Sequence, residues 1–195
     1  FPGLAAGYWH DGGAPRRGSY GLHYSGSGGM VASAEEFVAW IHALLRGEGM
    51  LRGLFARLAE PGRLASGAEG GYSHGFMLHR LGGVRLVGHG GSLPGYKNHF
   101  LLDPASGRGV FVASNREETQ AQPLAMAVLA AELGIEWAPA PPALVPSGIF
   151  VDPRSGDTLE LARRPSGPVA AFLGAEEGLH VDDDGRWSSS APHLA

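Results

Sequence analysis

The chain has 195 residues, 44% of them apolar, with a formal net charge of −4. That is enough apolar material for one domain or one and a half, and it excludes a globally disordered chain. The basic residues are scattered, which excludes the electrostatic footprint of a nucleic-acid-binding protein. No apolar run approaches the ~20 residues of a membrane-spanning helix. With no cysteine, disulfide and thiol chemistry are excluded as well, and no compartment follows from that.

In chain order, residues 4–10 read as a short strand, turned by Asp11-Gly12-Gly13. Residues 14–32 lack periodicity and read as loop. The run from Ser25 to Gly29 is glycine-rich, yet no Lys-Ser or Lys-Thr follows it, so it is not read as a phosphate cradle. Ser33 and Glu36 have capping-box spacing, and Phe37, Ile41, Leu44 and Leu45 then repeat at helical spacing, with Val38 and Trp40 widening the stripe. Gly47 or Gly49 is expected to end that helix. A shorter helix is expected over 50–59, stopped by Pro61-Gly62.

Residues 72–80 alternate loosely, and Gly82-Gly83 predicts a two-residue hairpin turn into a strand over 84–88. A further strand is read over 98–102, a turn over Asp103–Gly107, and a strand over 110–114. These make an antiparallel meander of three or four strands. A helix follows, with Pro123 in its first turn, apolar spacing through Leu124, Ala127, Val128, Ala131 and Leu133, and Gly134 at its end. Pro139, Pro141, Pro142 and Pro146 mark residues 136–146 as a linker. Beyond it, short strand-like runs between turns predict a partial antiparallel β module over 147–195. The Asp182-Asp183-Asp184 run reads as a solvated turn, because a calcium loop needs different spacing and a distal Glu.

Between the strands at 84–87 and 98–102 lies Gly88-His89-Gly90-Gly91-Ser92-Leu93-Pro94-Gly95-Tyr96. Its glycines and proline predict a sharp turn or a close approach of the backbone to something else, with one histidine inside. The segment resembles the third active-site motif of the serine β-lactamase and penicillin-binding-protein superfamily. More narrowly, it resembles the branch of class C β-lactamases, esterases and D-aminopeptidases, where His-x-Gly replaces Lys-Thr-Gly. His89-Gly90-Gly91 fits that triplet. Ser92–Tyr96, the later Ser114-Asn115 and the upstream stretch from Ser25 to Glu36 are also similar to that branch, so the resemblance covers residues 4–133.

The resemblance implies an α+β fold: part of a β-lactamase-like domain over 1–135, an antiparallel sheet with flanking helices, then a β-barrel-like module. It also implies hydrolysis of amide, ester or β-lactam bonds through an acyl-serine. The family nucleophile is the serine of a Ser-x-x-Lys helix turn, and a tyrosine in a second motif relays protons. This chain contains no Ser-x-x-Lys: its one lysine is Lys97, and Pro94 stands three residues before it. Tyr96-Lys97-Asn98 matches Tyr-x-Asn by letters but follows the His triplet, whereas the family places that motif well upstream. The expectation is therefore the C-terminal portion of a larger hydrolase, inactive by itself.

By resemblance, His89 would polarise or orient the acyl substrate or support the tyrosine. The Ser92 N–H would form half of an oxyanion hole, and Gly90 and Gly91 would keep the strand edge open to substrate. The alternative is a non-catalytic β-lactamase-like binding or regulatory module. No cofactor or metal is expected. Nine histidines contain no His-Glu-x-x-His or His-x-His, and His74 and His79 fall on opposite faces of the expected strand. The substrate would be a small molecule or peptide. Both faces of the expected sheet are apolar while the helix at 121–133 covers one, so an N-terminal fragment or self-association is expected to cover the other.

Overall fold

A computed structural model describes residues 3–9, 13–18, 26, 28–63, 67, 69–138, 147–164, 167–172, 175–181 and 187–189. The Ser25–Gly29 run is only partly inside these limits. Most of the proline-rich linker and the Asp182–Asp184 turn lie outside them.

Two short strands, β1 (Tyr8–Trp9) and β2 (Arg16–Arg17), pair antiparallel. Helix α1 (Ala34–Arg46) starts at a complete capping box: Ser33 N–H donates to Glu36 Oε2 at 2.8 Å and Glu36 N–H to Ser33 Oγ at 3.2 Å. The Ser33 backbone N–H, helped by its hydroxyl, holds the Glu36 carboxyl below its ordinary pKa. Gly47, in the left-handed region at φ 62°, ends the helix. A 3-10 turn (Gly49–Leu51) and α2 (Leu54–Leu58) follow.

The central sheet has six strands in chain order, every neighbouring pair antiparallel: β3 (Pro61–Arg63), β4 (Glu69–Ser73), β5 (Met77–Leu81), β6 (Val84–Leu93), β7 (Tyr96–Leu102) and β8 (Gly109–Ser114). Two expectations change here. Pro61-Gly62 does not merely stop a helix but opens β3. The stretch 72–80 is two strands, because Ser73 folds it back: Ser73 N–H donates to the Phe76 carbonyl at 2.8 Å and Phe76 N–H to Ser73 Oγ at 3.1 Å. His74 sits exposed in that turn and His79 is buried on β5. The Gly82-Gly83 turn is as expected, with φ 53° and 84°. Beyond β7, Asp103 accepts from Ala105 N–H at 2.9 Å and Ser106 Oγ at 2.6 Å. Burial alone would raise its pKa, but those hydrogen bonds and Arg108 hold it below the ordinary value.

Helix α3 (Ala121–Leu133) packs one face of the sheet, its Ala125, Met126, Leu129 and Ala130 meeting Leu81, Leu86 and Leu101. The buried stripe is therefore not the one expected: Leu124 and Val128 face outward, 47% and 46% exposed. The helix is apolar nearly all round, so spacing leaves its phase open and the small alanines decide it by letting the helix sit close to the strands. The other face is not bare. Phe37, Ile41 and Leu44 of α1 and Leu54, Phe55 and Leu58 of α2 pack on Phe76, Val87, Phe100 and Leu102. Phe37 stacks on Phe111 at 4.3 Å between ring centroids. The expectation of a large uncovered apolar face is thus corrected: the chain's own first two helices cover it.

After Trp137, which still packs against the α3-side core, the described chain resumes with β9 (Gly148–Val151), β10 (Thr158–Arg164), β11 (Gly167–Phe172), β12 (Ala175–Val181) and β13 (Trp187–Ser189). They form a five-stranded antiparallel meander that is open among the described residues, with β9 and β13 at its edges. The whole is α+β, with antiparallel sheets and helices on the first. No helix among the described residues is long and apolar enough to cross a membrane.

Candidate functional site

The glycine-rich segment is mostly strand. β6 runs unbroken from Val84 to Leu93 and pairs with β7 from Val87↔Leu102 to Leu93↔Tyr96, so His89 lies within the strand and only Pro94-Gly95 turns. Gly95 has φ 80° and receives its glycine for that reason. A Cβ there would also lie 2.7 Å from the Gly7 backbone, and its N–H donates to Glu117 Oε2 at 2.6 Å. Density of glycine signals a turn on composition, but here the glycines answer close approach by neighbouring side chains.

Alternation divides the hairpin into two faces. His89, Gly91, Asn98 and Phe100 share the α1 side with Val87 and Leu102. Gly90, Ser92, Lys97 and His99 share the α3 side with Leu86 and Leu101. A Cβ on Gly90 would meet His99 Nδ1 at 2.6 Å, and one on Gly91 would meet Asn98 Nδ2 at 2.6 Å. The two glycines of the triplet thus make room on opposite faces, Gly90 for the fully buried His99 and Gly91 for Asn98 beside His89. Ser92 turns its hydroxyl away from His89 and accepts from Lys97 Nζ, which also pairs with Glu117 Oε1 at 3.0 Å.

Pairing between β5 and β6 stops at Met77↔Gly88, one residue short of His89. From His89 to Leu93, β7 is the paired neighbour of β6, and the other edge is not laddered by β5. The two-residue turn makes Leu93 and Tyr96 the closing bonded pair, so the alternation of the ladder aims the N–H groups of Ser92 and Gly90 away from β7, toward that edge.

His89 is half-buried and gripped on both ring nitrogens. Its Nδ1 lies 2.6 Å from the Gly90 carbonyl and its Nε2 lies 2.7 Å from the Tyr72 hydroxyl. A carbonyl only accepts, so Nδ1 carries a proton and, in the neutral ring, Nε2 accepts from Tyr72. Burial pushes the Tyr72 phenol up. Tyr72 carries no signal in the sequence beyond its place in an alternating stretch. Opposite Met77 on β4, it is brought to His89 by the order β4-β5-β6 and the short β5.

A family model described as Beta-lactamase matches residues 1–134. The chain belongs to the beta-lactamase family. It is 30% identical over 179 residues to a D-aminopeptidase of Brucella melitensis, covering 89% of this chain and 34% of that protein. It is 29% identical over 171 residues to a D-aminopeptidase of Cereibacter sphaeroides, covering 85% of this chain and 32% of that one. The chain thus spans about a third of the length of the curated relatives it matches. Among solved structures, the octameric penicillin-binding protein homologue from Pyrococcus abyssi superposes with a TM-score of 0.61 at 18% identity, over 90% of this chain and 44% of that one. That likeness bears on the fold.

Other side chains of this beta-lactamase-family chain are engaged away from His89. The Tyr96 hydroxyl donates to the Ala5 carbonyl at 2.7 Å and accepts from Gly7 N–H at 3.1 Å, and Asn115 Nδ2 donates to the Ala6 carbonyl at 2.9 Å. Tyr96 therefore ties the hairpin to the N-terminal segment. His79 and His99 are buried, with rings edge to face at 5.8 Å. His42 is exposed, and His180 lies on β12. His10, His23 and His193 lie outside the described residues. Among the described residues, no three His, Cys, Asp or Glu side chains gather as a metal site. A cavity of about 70 Å³ between α1 and β7–β8 is lined by Phe37, Ile41, Phe100 and Phe111, on packing surface rather than at His89.

Proposed function

We propose that this chain supplies the third-motif wall of an acyl-transfer site in a serine hydrolase of the D-aminopeptidase, esterase and β-lactamase kind. The nucleophilic serine and its lysine would come from a segment outside these 195 residues. The observation that carries the reading is the β6 edge from His89 to Leu93, free of β5, with an oriented half-buried imidazole at its start. A substrate laid along that edge would have its carbonyl within reach of the Ser92 N–H. Serine attack forms the C–O bond, the oxyanion is stabilised by the Ser92 N–H and a second N–H, and the C–N or C–O bond breaks as the leaving group takes a proton. Water then releases the acyl group. His89 orients the acyl substrate, and Gly91 keeps the space beside it open. The names of the relatives favour an amide at a D-amino-acid residue as substrate.

We further propose the division 1–135, 136–146 and 147–195 for the β-lactamase-like part, the linker and the β module. Association with an N-terminal segment or with further copies is proposed too, the latter in keeping with the octameric homologue.

The test is made in the full protein that carries this chain. His89→Ala should lower kcat/KM for D-amino-acid amides by about 10²- to 10³-fold, with the unfolding midpoint nearly unchanged. Trapped acyl adducts should map by mass spectrometry to a serine outside residues 1–195. Undiminished turnover in the variant, or an adduct on a serine of this chain, would overturn the reading. Full-length material that folds but never forms an adduct supports the non-catalytic module instead.

A further inference from the structure

Tyr72 is absent from every motif read in the sequence. It is not a Tyr-x-Asn tyrosine, since Ser73 and His74 follow it. Yet its hydroxyl makes the side-chain contact to His89, at 2.7 Å from Nε2, with the rings edge to face at 79°. We propose that Tyr72 is the positioning residue of the site: its hydroxyl donates to Nε2 and locks the orientation of the His89 ring, whose Nδ1–H tautomer the Gly90 carbonyl sets. The role rests on the reading of His89 as the site's third-motif group.

Three features support it. The grip is two-sided, because the Gly90 carbonyl takes the Nδ1 proton at 2.6 Å while Tyr72 occupies the opposite nitrogen. With its Nε2 lone pair engaged, the neutral ring is an oriented group rather than a free base. Protonation does not break the arrangement, since Nε2–H can then donate to the phenol oxygen. Tyr72 is itself held, one residue before the turn that Ser73 closes onto Phe76 through its backbone and its hydroxyl. Burial raises the pKa of the phenol, which keeps it a donor across the neutral range.

The experiment uses the full protein with ¹⁵N-labelled histidine. In the wild type, the His89 imidazole should show a protonated Nδ1 and an unprotonated Nε2. Tyr72→Phe, which keeps the ring and removes the hydroxyl, should leave Nδ1 protonated against the Gly90 carbonyl, move the Nε2 resonance toward that of an unbonded ring nitrogen, and lower kcat about tenfold, the size of one lost hydrogen bond, with KM within about twofold. Tyr72→Gln, which restores a donor, should recover the wild-type Nε2 resonance in part. A Tyr72→Phe protein with the wild-type Nε2 resonance and wild-type kcat would overturn the proposal. If His89→Ala leaves turnover intact while Tyr72→Phe still shifts the Nε2 resonance, the hydrogen-bond assignment stands and the functional reading of His89 is what fails.

Discussion

Alternate residues of the β6–β7 hairpin meet two different environments. On the α3 side, Leu86 is 0% exposed, Leu101 1% and His99 0%. On the α1 side, burial is comparable at Val87 and Leu102 but relaxes toward the turn, where His89, Gly91 and Asn98 are half-buried. The α3 face anchors the hairpin as far as the buried His99, with Gly90, Ser92 and Lys97 half-buried beyond it. The other is anchored at the Val87–Leu102 end and left open at the His89 end. On the proposed function, this is how the strand would offer a fixed imidazole to a substrate, with the packing that holds the backbone behind and beside the site.

That comparison can be broken at several points. The largest expected effect on stability is at Leu86→Ala, which removes a wholly buried side chain between α3 and the sheet and should cost about 3 kcal/mol. Urea unfolding measures it, and a loss as small as that of His89→Ala would mean the two faces are not energetically distinct. Next come the paired glycines. Gly90→Ala drives a Cβ into the buried His99 ring and should cost about 2 kcal/mol. Adding His99→Ala should shrink the extra penalty in a double-mutant cycle, since the clashing ring is gone. Gly91→Ala meets only the half-buried Asn98 amide, so its stability cost should stay under about 1 kcal/mol while turnover falls. Equal stability costs at the two glycines would refute the assignment of faces. The smallest effect is expected at Lys97→Met, which removes the ion pair to Glu117 and the bond to Ser92 behind the turn. About 0.5 kcal/mol should be lost, less at high salt. A cost independent of salt would point to packing of the lysine stem instead.

Local chemistry was legible wherever a feature is made by neighbours in the chain. Ser33 and Glu36 cap α1 because three residues separate them, and Gly82-Gly83 turns the chain because only glycine adopts both positive φ values cheaply. Strands β5, β7 and β8 of the central sheet, the first half of β6 and the runs of the second sheet followed from short apolar runs between turn residues, whereas β3 and β4 did not. The phase of α3 did not, because Leu124 and Val128 are as apolar as the buried Met126 and Leu129. Nor did the strand through Gly88–Leu93, since glycine reads as a turn until the side chains of Asn98 and His99 are known to lie against it.

The amino-acid sequence by itself determined the capped helix, the hairpin turns and the His-Gly-Gly triplet on which the resemblance to the family was read. Each depends on residues a few positions apart and on intrinsic backbone preference. The tertiary structure alone decided that α1 and α2 cover the second face of the sheet, and that the Ser92 hydroxyl points away from His89. It alone brought Tyr72, seventeen residues upstream, to the Nε2 of His89. Those outcomes depend on which strands pair, where β5 ends and which face each helix takes. They are set by burial summed over the whole domain, to which no local run of residues is sensitive.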